Sequence, residues 1–337
     1  MLVSAYAVAD GPADPVAEAE DLWEFARSAG LHALVIGTSK VPNAKITVLL
    51  VSPATGRAEL AAKVPTTDAA AAAIEDEAAM LLALEDVTLA PASTVPRIVD
   101  WVDFHGRAGV VMTAMQGTPM STAYTRGGHT ADRAQVAADF EAIDHWLSAL
   151  QRATATDPAP IQLGAGVAER LEARFGDADA VARLDEIRGR MRAGRVPRTA
   201  LHGDLWIANV LMTDGAVSGV VDWEGGEPRG EPLRDLVRFA VTYALFIDRH
   251  TRPGRRVRGH RGLRAGAWGA GIEYALDGRG WFPDLTRAFL QDGLARLGAD
   301  PAWWRDAALA GLAEFAALTD DPVFGRQVFD VFDRLAR

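Results

Sequence analysis

The segment LHGDLWIAN, residues 201–209, is followed thirteen residues after Asn209 by Asp222, which lies in the segment VVDWE, residues 220–224. Together they supply three oxygen-bearing side chains, those of Asp204, Asn209 and Asp222. Magnesium in proteins takes a few oxygen ligands, keeps several waters and otherwise binds substrate phosphates. The spacing therefore suits metal-assisted phosphoryl transfer, in which two of these groups hold magnesium and the third steers a hydroxyl.

The residues between Asn209 and Asp222 predict a β-hairpin. Two short apolar runs, residues 210–212 and 216–221, flank an Asp-Gly pair, which is a strong signal for a tight turn. Because a hairpin returns to its starting point, we expect Asn209 and Asp222 to lie side by side at its open end. Asp204 precedes Asn209 by five residues and would accept or orient the proton of an attacking hydroxyl.

Each of these residues has a more ordinary interpretation when it is taken alone. A His-x-Asp sequence in a loop is usually a turn or capping feature, an Asn before a strand usually bonds to backbone groups, and an Asp after a strand often caps the next helix. Their occurrence in this order around a single hairpin favours the catalytic interpretation.

Both segments resemble those of a known group of enzymes, the aminoglycoside phosphotransferase and choline kinase-like family of small-molecule kinases. HGDL at residues 202–205, with Asn209, resembles the catalytic loop of the family, and DWE at residues 222–224 resembles its metal-binding motif. GEPLRDL at residues 230–236 is similar to the Gly-x-Pro-x-x-Asp-Leu sequence that follows in the family. The resemblance implies an enzyme that transfers a phosphate from ATP or GTP to a hydroxyl of a small molecule, with Mg²⁺ as cofactor.

The resemblance also implies a role for each matching residue. Asp204 would be the catalytic residue, and Asn209 and Asp222 would be the metal ligands. His202 and Asp235 would be structural residues. Asp235 would fasten the catalytic loop, which contains His202.

The implied fold is a bilobal, protein kinase-like fold of the α+β class. A small N-terminal lobe, residues 1–116, would contain an antiparallel sheet with a helix and bind the nucleotide, and a larger, mostly helical lobe, residues 117–337, would hold the catalytic and acceptor sites. The apolar patterns predict strands at residues 34–37, 45–51, 59–64, 97–104 and 108–115. They predict helices at residues 15–28, 68–84, 132–153, 165–191, 233–248, 265–276, 285–297, 301–318 and 323–336.

A nucleotide clamp is expected in the first lobe. Lys63 lies near the end of the third predicted strand, and Glu77 lies on the apolar face of the helix that follows. A carboxylate on a buried face requires a cationic partner, so we predict a Lys63–Glu77 ion pair, with a solvent-facing Glu77 as the alternative. The other predicted nucleotide contacts are Gly37, Ser39 and Met115. The chain has no Gly-x-x-x-x-Gly-Lys-Ser/Thr sequence, which disfavours a P-loop enzyme.

The acceptor is expected between the catalytic loop and the helices beyond Asp235. The twelve residues between Asp222 and Asp235 contain no Ser, Thr or Tyr, which disfavours a protein kinase regulated by phosphorylation in this segment. Glu224 and Glu227 could receive an amino sugar, and Trp268 could stack on a ring. The favoured acceptor is a sugar, an amino sugar or a glycosylated or nucleoside antibiotic.

Seven arginines between Arg249 and Arg264 allow two interpretations. Such a run is most often a solvated, mobile loop. The alternative is a lid that attracts an anionic acceptor or the phosphates of the nucleotide.

The composition fits a soluble enzyme of two packed domains. The chain has 337 residues, of which 49% are hydrophobic, and it contains no cysteine, which excludes disulfides and a cysteine nucleophile. A net charge of −10 argues against a nucleic-acid partner. No apolar run approaches the roughly 20 residues that span a bilayer, and the first residues lack the basic segment of a secretion signal, so we expect a cytoplasmic protein with no membrane partner. A nucleotide-binding pseudokinase and a protein kinase remain as alternatives.

Overall fold

The structure is a computed structural model, and it describes residues 19–39, 43–85, 87 and 94–337. The chain divides into two compact units. The first unit consists of the chain up to Leu82 together with Pro96–Ala114, and the second consists of Ala83–Val95 and Met115–Arg337.

The observed division of the chain differs from the predicted one in the segment before Pro96. The prediction assigned this segment to the first lobe, whereas it groups with the second unit. Thr94 is bonded to the second unit: its Oγ1 accepts a hydrogen bond from Trp146 Nε1 at 3.0 Å, and its carbonyl oxygen accepts one from Val220 N at 2.8 Å. These bonds group the segment with the second unit.

The first unit is a six-stranded sheet with two helices. In chain order its elements are β1 (Glu20–Asp21), α1 (Leu22–Ser28), β2 (His32–Thr38), β3 (Lys45–Val51), β4 (Ala58–Pro65), α2 (Asp68–Ala83), β5 (Ile98–Asp103) and β6 (Ala108–Thr113). The strands lie in the order β1-β5-β6-β4-β3-β2, and all pairs are antiparallel except β1 with β5. Five of the strands match the predicted ones, and the two-residue β1 is too short to give a sequence signal.

Capping side chains set where the two helices of this unit begin. Asp21 caps α1 by accepting a hydrogen bond from Trp23 N at 2.9 Å, so the helix begins later than the predicted residue 15; residues 15–18 of that prediction lie outside the described residues. Thr67 Oγ1 accepts a hydrogen bond from Ala70 N at 3.1 Å at the start of α2. The position of α2 therefore agrees with the helix predicted over residues 68–84.

The second unit is mostly helical. Its strands are β7 (Thr118–Pro119), β8 (Pro158–Pro160), β9 (Arg195–Pro197), β10 (Thr199–Leu201), β11 (Val210–Thr213), β12 (Ala216–Val220) and β13 (Glu227–Gly230). Its helices are α3 (Met120–Tyr124), α4 (Arg133–Thr154), α5 (Ala168–Phe175), α6 (Ala178–Met191), α7 (Leu233–Leu245), α8 (Ala270–Asp277), α9 (Trp281–Arg296), α10 (Trp304–Leu318) and α11 (Pro322–Ala336). None of the helices in the described residues is both long and apolar enough to cross a bilayer.

The predictions for this unit differ from the structure in two details. The helix predicted over residues 165–191 is two helices, α5 and α6, because Gly176 ends the first in a left-handed conformation and Asp177 caps the second. Strand β7, which pairs with β11, was not among the predicted strands.

Helix α7 is the central helix of the second unit and packs against α8, α9 and α10. Its apolar residues join an aromatic cluster in which Phe239 lies 5.4 Å from Phe140 and Tyr243 lies 4.9 Å from Phe140, measured between ring centroids. Gly271 of α8 lies so close to α7 that an added Cβ would overlap the carbonyl oxygen of Ala244. Tight packing on several sides therefore fixes the position of α7.

The arginine-rich segment from Arg249 to Arg264 is a folded loop with buried anchors. His260 is fully buried, and its Nε2 donates to the carbonyl oxygen of Thr130 at 2.6 Å. Burial lowers the pKa of His260, which favours the neutral ring. Trp281 Nε1 also donates to the carbonyl oxygen of Gly259 at 2.9 Å. All seven arginines of the segment are exposed, as the interpretation of a solvated loop predicts, and the buried His260 anchors the loop to the second unit.

We predict that Gly271→Ala destabilises the protein by about 1–3 kcal/mol, because α8 must move away from α7 to accommodate the methyl group. Gly189→Ala in α6 is the matched control, since nothing lies within 4 Å of its Cβ position. That control is expected to raise stability by about 0.5–1 kcal/mol. Urea unfolding midpoints of the two variants measure the difference, and equal midpoints would contradict the packing described here.

Candidate active site

The predicted hairpin is present, and it brings Asn209 and Asp222 to the same end. β11 and β12 pair from Thr213 with Ala216 to Val210 with Val220. The turn residues between the strands both have positive φ, as a two-residue hairpin turn requires. Beyond the strands, Val221 N donates to the carbonyl oxygen of Asn209 at 2.9 Å. Asn209 therefore lies across the hairpin from the residue that precedes Asp222.

Asp222 has a backbone conformation that is uncommon for a residue with a side chain. Its φ is +72°, in the left-handed region, where Asp and Asn are tolerated better than most other residues. Trp223, the next residue, is fully buried and donates from Nε1 to the carbonyl oxygen of Val220 at 2.9 Å. The anchored Trp223 holds the turn that follows the hairpin and thereby sets the backbone at Asp222.

A buried carboxylate fastens the catalytic loop to α7. Asp235 Oδ2 accepts a hydrogen bond from His202 N at 2.7 Å, and its Oδ1 accepts one from Gly203 N at 2.9 Å. Burial raises the pKa of Asp235, while the two backbone N–H bonds and the charge of Arg238 act in the opposite direction. This arrangement matches the contact that the resemblance implied for Asp235.

His202 connects the catalytic loop to the end of the hairpin. Its Nε2 donates to the carbonyl oxygen of Val221 at 2.9 Å, and its Nδ1 accepts from the Asp204 amide at 3.2 Å. The ring is fully buried and lies 4.7 Å from the Trp223 ring. The His202 ring thus positions the backbone of Asp204 and of the residue before Asp222.

The carboxylate of Asp204 is held by Arg238, a residue that the sequence analysis missed. Arg238 Nε donates to Asp204 Oδ1 at 3.1 Å, and the guanidinium lies 3.4 Å from the centroid of the Phe315 ring. On the other side, Asn209 Nδ2 donates to the Asp204 carbonyl oxygen at 3.0 Å and lies 3.4 Å from Oδ2. Arg238 follows Asp235 by one helical turn, and this i, i+3 spacing is the signal that could have revealed it.

The residues at the hairpin end form a donor set that fits magnesium. Because Asn209 uses its Nδ2 to bind Asp204, its Oδ1 is the atom left for a cation. Together with the carboxylate of Asp222 it offers one amide oxygen and one acid, as a cation that also binds phosphates requires. Among the described residues there is no group of three or more His, Cys, Asp or Glu that could hold a metal.

In the first unit, the predicted Lys63–Glu77 ion pair is present. Lys63 Nζ lies 2.7 Å from Glu77 Oε1 and 2.6 Å from Oε2, and the Glu77 side chain is completely buried. Gly37 lies on β2 at an irregularity in its pairing with β3. The hydroxyl of Ser39 closes the following loop: it accepts a hydrogen bond from Lys45 N at 2.9 Å and donates one to the carbonyl oxygen of Asn43.

The other predicted nucleotide contact, Met115, belongs to the second unit and packs against Gly219 of β12. The structure shows which backbone it touches, and its role as a nucleotide contact stays a prediction.

A cavity of about 280 Å³ lies within the second unit beside the catalytic loop. Its lining includes Gly203 and Arg238 together with Glu227 of β13. Of the other residues predicted to bind the acceptor, Glu224 is half-buried outside this lining, and Trp268 packs edge-on against Phe324 with the ring centroids 5.5 Å apart. Glu227 and Arg238 therefore line the same cavity, whereas Trp268 packs against another side chain.

Two solved structures share the fold. One is a thermostable mutant of aminoglycoside phosphotransferase APH(4)-Ia in a ternary complex with ADP and hygromycin B, with 13% sequence identity, a TM-score of 0.55, and coverage of 93% of this chain and 98% of that chain. The other is amicoumacin kinase hAmiN in complex with AMP-PNP, Ca²⁺ and Ami, with 12% identity, a TM-score of 0.54, and coverage of 93% of each chain. These likenesses confirm the predicted protein kinase-like α+β fold.

No curated protein matches the sequence. Residues 47–274, more than half of the chain, match the model of the phosphotransferase enzyme family. As the catalytic-loop resemblance predicted, the protein belongs to this family of phosphotransferases.

Proposed function

We propose that the protein transfers the terminal phosphate of ATP or GTP to a hydroxyl of a small molecule in a Mg²⁺-dependent reaction. The observation that carries this proposal is the hydrogen bond from Val221 N to Asn209 O, which brings Asn209 to the same hairpin end as Asp222. The two solved structures compared above support a nucleotide donor, since one holds ADP and the other AMP-PNP.

In the proposed reaction, Asp204 receives the proton of the acceptor hydroxyl. The hydroxyl oxygen forms a bond to the terminal phosphorus while the bond from that phosphorus to the leaving nucleoside diphosphate breaks, and the proton passes to the carboxylate. Arg238 binds Oδ1 of Asp204, whereas Oδ2 has only the 3.4 Å contact with Asn209 Nδ2. Oδ2 is therefore the oxygen proposed to accept the proton.

Asn209 and Asp222 are proposed to hold the cation through Asn209 Oδ1 and the Asp222 carboxylate. When bound there, Mg²⁺ would neutralise charge on the phosphates of the nucleotide. The chain's own contribution is to fix the two ligands before binding, because both lie on backbone that is hydrogen-bonded to the hairpin or anchored by Trp223.

In the first unit, Lys63 is proposed to contact the phosphates, with Glu77 fixing its ammonium group. Gly37, Ser39 and Met115 remain proposed nucleotide contacts. In the second unit, the 280 Å³ cavity beside Asp204 is the proposed acceptor site, with Glu227 in its wall. The proposed acceptor class is a sugar, an amino sugar or a glycosylated or nucleoside antibiotic, with Glu224 and Trp268 as further proposed contacts.

The direct test of this function is a transfer screen read by mass spectrometry. Purified protein is incubated with Mg²⁺, ATP or GTP, and panels of amino sugars, neutral glycosides, nucleoside antibiotics, macrolides and choline. A phosphate added to a small molecule supports the proposal, and phosphate added to protein instead would identify a protein kinase.

We predict that Asp204→Asn lowers kcat by at least about 100-fold and leaves nucleotide affinity within about twofold, because the carboxylate acts on the proton of the acceptor. The matched control is Asp277→Asn, which changes an exposed carboxylate paired with Arg305. Steady-state rates and nucleotide titrations measure both effects. Turnover equal to that of the control would remove Asp204 from the mechanism.

We also predict that Asp222→Asn weakens Mg²⁺-dependent nucleotide binding by about tenfold or more, because one charged ligand is lost while the left-handed backbone is still tolerated. Asp214→Asn in the turn of the same hairpin is the control, since Asp214 also has a positive φ, of 51°. Calorimetric titration with and without Mg²⁺ compares the variants. Unchanged affinity in Asp222→Asn would contradict the metal role.

A further inference from the structure

The charged residues of the acceptor cavity neutralise one another. Arg234 forms ion pairs with two glutamates. Its Nη1 lies 2.7 Å from Glu227 Oε1, and its Nε lies 2.8 Å from Glu314 Oε1. Arg238, which also lines the cavity, binds Asp204 of the catalytic loop. The cavity wall therefore holds two carboxylates and two guanidinium groups, and both carboxylates already have a cationic partner.

Glu314 is the more enclosed of these two carboxylates, with only 9% of its side chain exposed. Its second oxygen accepts a hydrogen bond from Gly164 N at 2.9 Å. Burial raises the pKa of Glu314, an effect that the Arg234 charge and the Gly164 bond oppose. The oxygens of Glu314 are thus already used within the protein.

The rest of the cavity wall is largely apolar. Its apolar side chains come from the loop before α5, from β10, and from α7 and α10, and they are Leu163, Leu201, Val237, Val241, Phe315 and Leu318. Covering the apolar surface of a ligand with such a wall stabilises the complex by roughly 25 cal/mol per Å² of apolar surface removed from water. A ligand that matches this cavity has an apolar part.

A polycationic amino sugar would bind poorly against such a wall. An ammonium group that leaves water needs an anionic partner, and here it would have to compete with Arg234 or Arg238 for a carboxylate. It would also lie close to these two positive charges, and like charges oppose binding. Hydroxyl groups need no such partner, because they can both donate to and accept from neutral and charged groups.

We propose that the acceptor of this enzyme is an uncharged hydroxyl compound with an apolar portion, such as an alkyl or aryl glycoside, and that the paired charges of the cavity exclude polycationic amino sugars. This proposal rests on the proposed function, since it assigns the cavity beside Asp204 to the acceptor. It narrows the acceptor class without changing the reaction.

The test uses pairs of probes that differ only in charge. Each pair is an alkyl or aryl β-D-glucoside and its 2,6-diamino-2,6-dideoxy counterpart, and binding to the full chain is measured by calorimetry without nucleotide. We expect the uncharged member of at least one pair to bind at least about tenfold tighter, corresponding to about 1.4 kcal/mol. Tighter binding of the diamino members, or binding of neither member of any pair, would overturn the proposal.

Variants of Arg234 test whether the paired charges cause the preference. Arg234→Met leaves Glu227 and Glu314 without their partner and should raise the affinity for the diamino probes about tenfold. The double variant Arg234→Met/Glu314→Gln restores the charge balance and should bring that affinity back towards the wild-type value. Arg190→Met, which removes a guanidinium from a pair with Asp306 outside the cavity, should change neither affinity. Equal affinities in all three variants would refute the explanation by charge.

A second substitution covers the case in which Arg234→Met does not fold, as melting curves would show. Glu314→Gln removes a negative charge and leaves Arg234 paired with Glu227. It should increase binding of an aryl glucuronide about tenfold relative to the matching glucoside, and an unchanged ratio would overturn the proposal. These binding measurements omit nucleotide, so they test the selectivity of the cavity separately from the proposed phosphate transfer. Selective glycoside binding without phosphate transfer would refute the transfer reaction and leave the proposed selectivity standing.

Discussion

The site depends first on one buried carboxylate, that of Asp235, which binds two consecutive backbone N–H groups of the catalytic loop. A charge enclosed in this way is tolerated because both oxygens have donors. Asp235 lies on α7, which packs against three other helices, so the loop takes its position from a helix that is held on several sides. Asp204 directly follows the two bonded loop residues, and Arg238 follows Asp235 by one helical turn. The contact therefore brings Asp204 and Arg238 together, and they form an ion pair.

Local signals in the sequence predicted a large part of the structure. The hairpin was predictable because its turn residues, Asp214 and Gly215, suit the positive φ that a tight turn requires. The Lys63–Glu77 pair was predictable because a carboxylate on the apolar face of α2 requires a cation within reach. In both cases the constraint lies in the element itself, in its periodicity or its turn chemistry, and no knowledge of distant packing is needed.

Features that depend on distant packing were not predictable in the same way. Strand β7 exists because β11 pairs with it, and Thr118-Pro119 alone carries no strand signal. The arginine-rich segment is ordered by His260, whose partners, Thr130 and Trp281, lie far away in the sequence. Arg238 is on a helix that was predicted, but its contact with Asp204 depends on how the catalytic loop folds back onto α7. The i, i+3 spacing from Asp235 makes Arg238 a candidate, but tertiary packing decides which residue it contacts.

The amide of Asn209 explains why a neutral residue is more suitable than an acid at this position. An aspartate would be the stronger ligand for a divalent cation, but it has no N–H to offer to the carbonyl oxygen of Asp204, which Asn209 binds at 3.0 Å. It would also introduce a second negative charge beside Asp204 Oδ2, which lies 3.4 Å from the amide nitrogen. In the proposed mechanism, Asn209 thus gives up some attraction for the metal and in exchange holds Asp204 in place as the base.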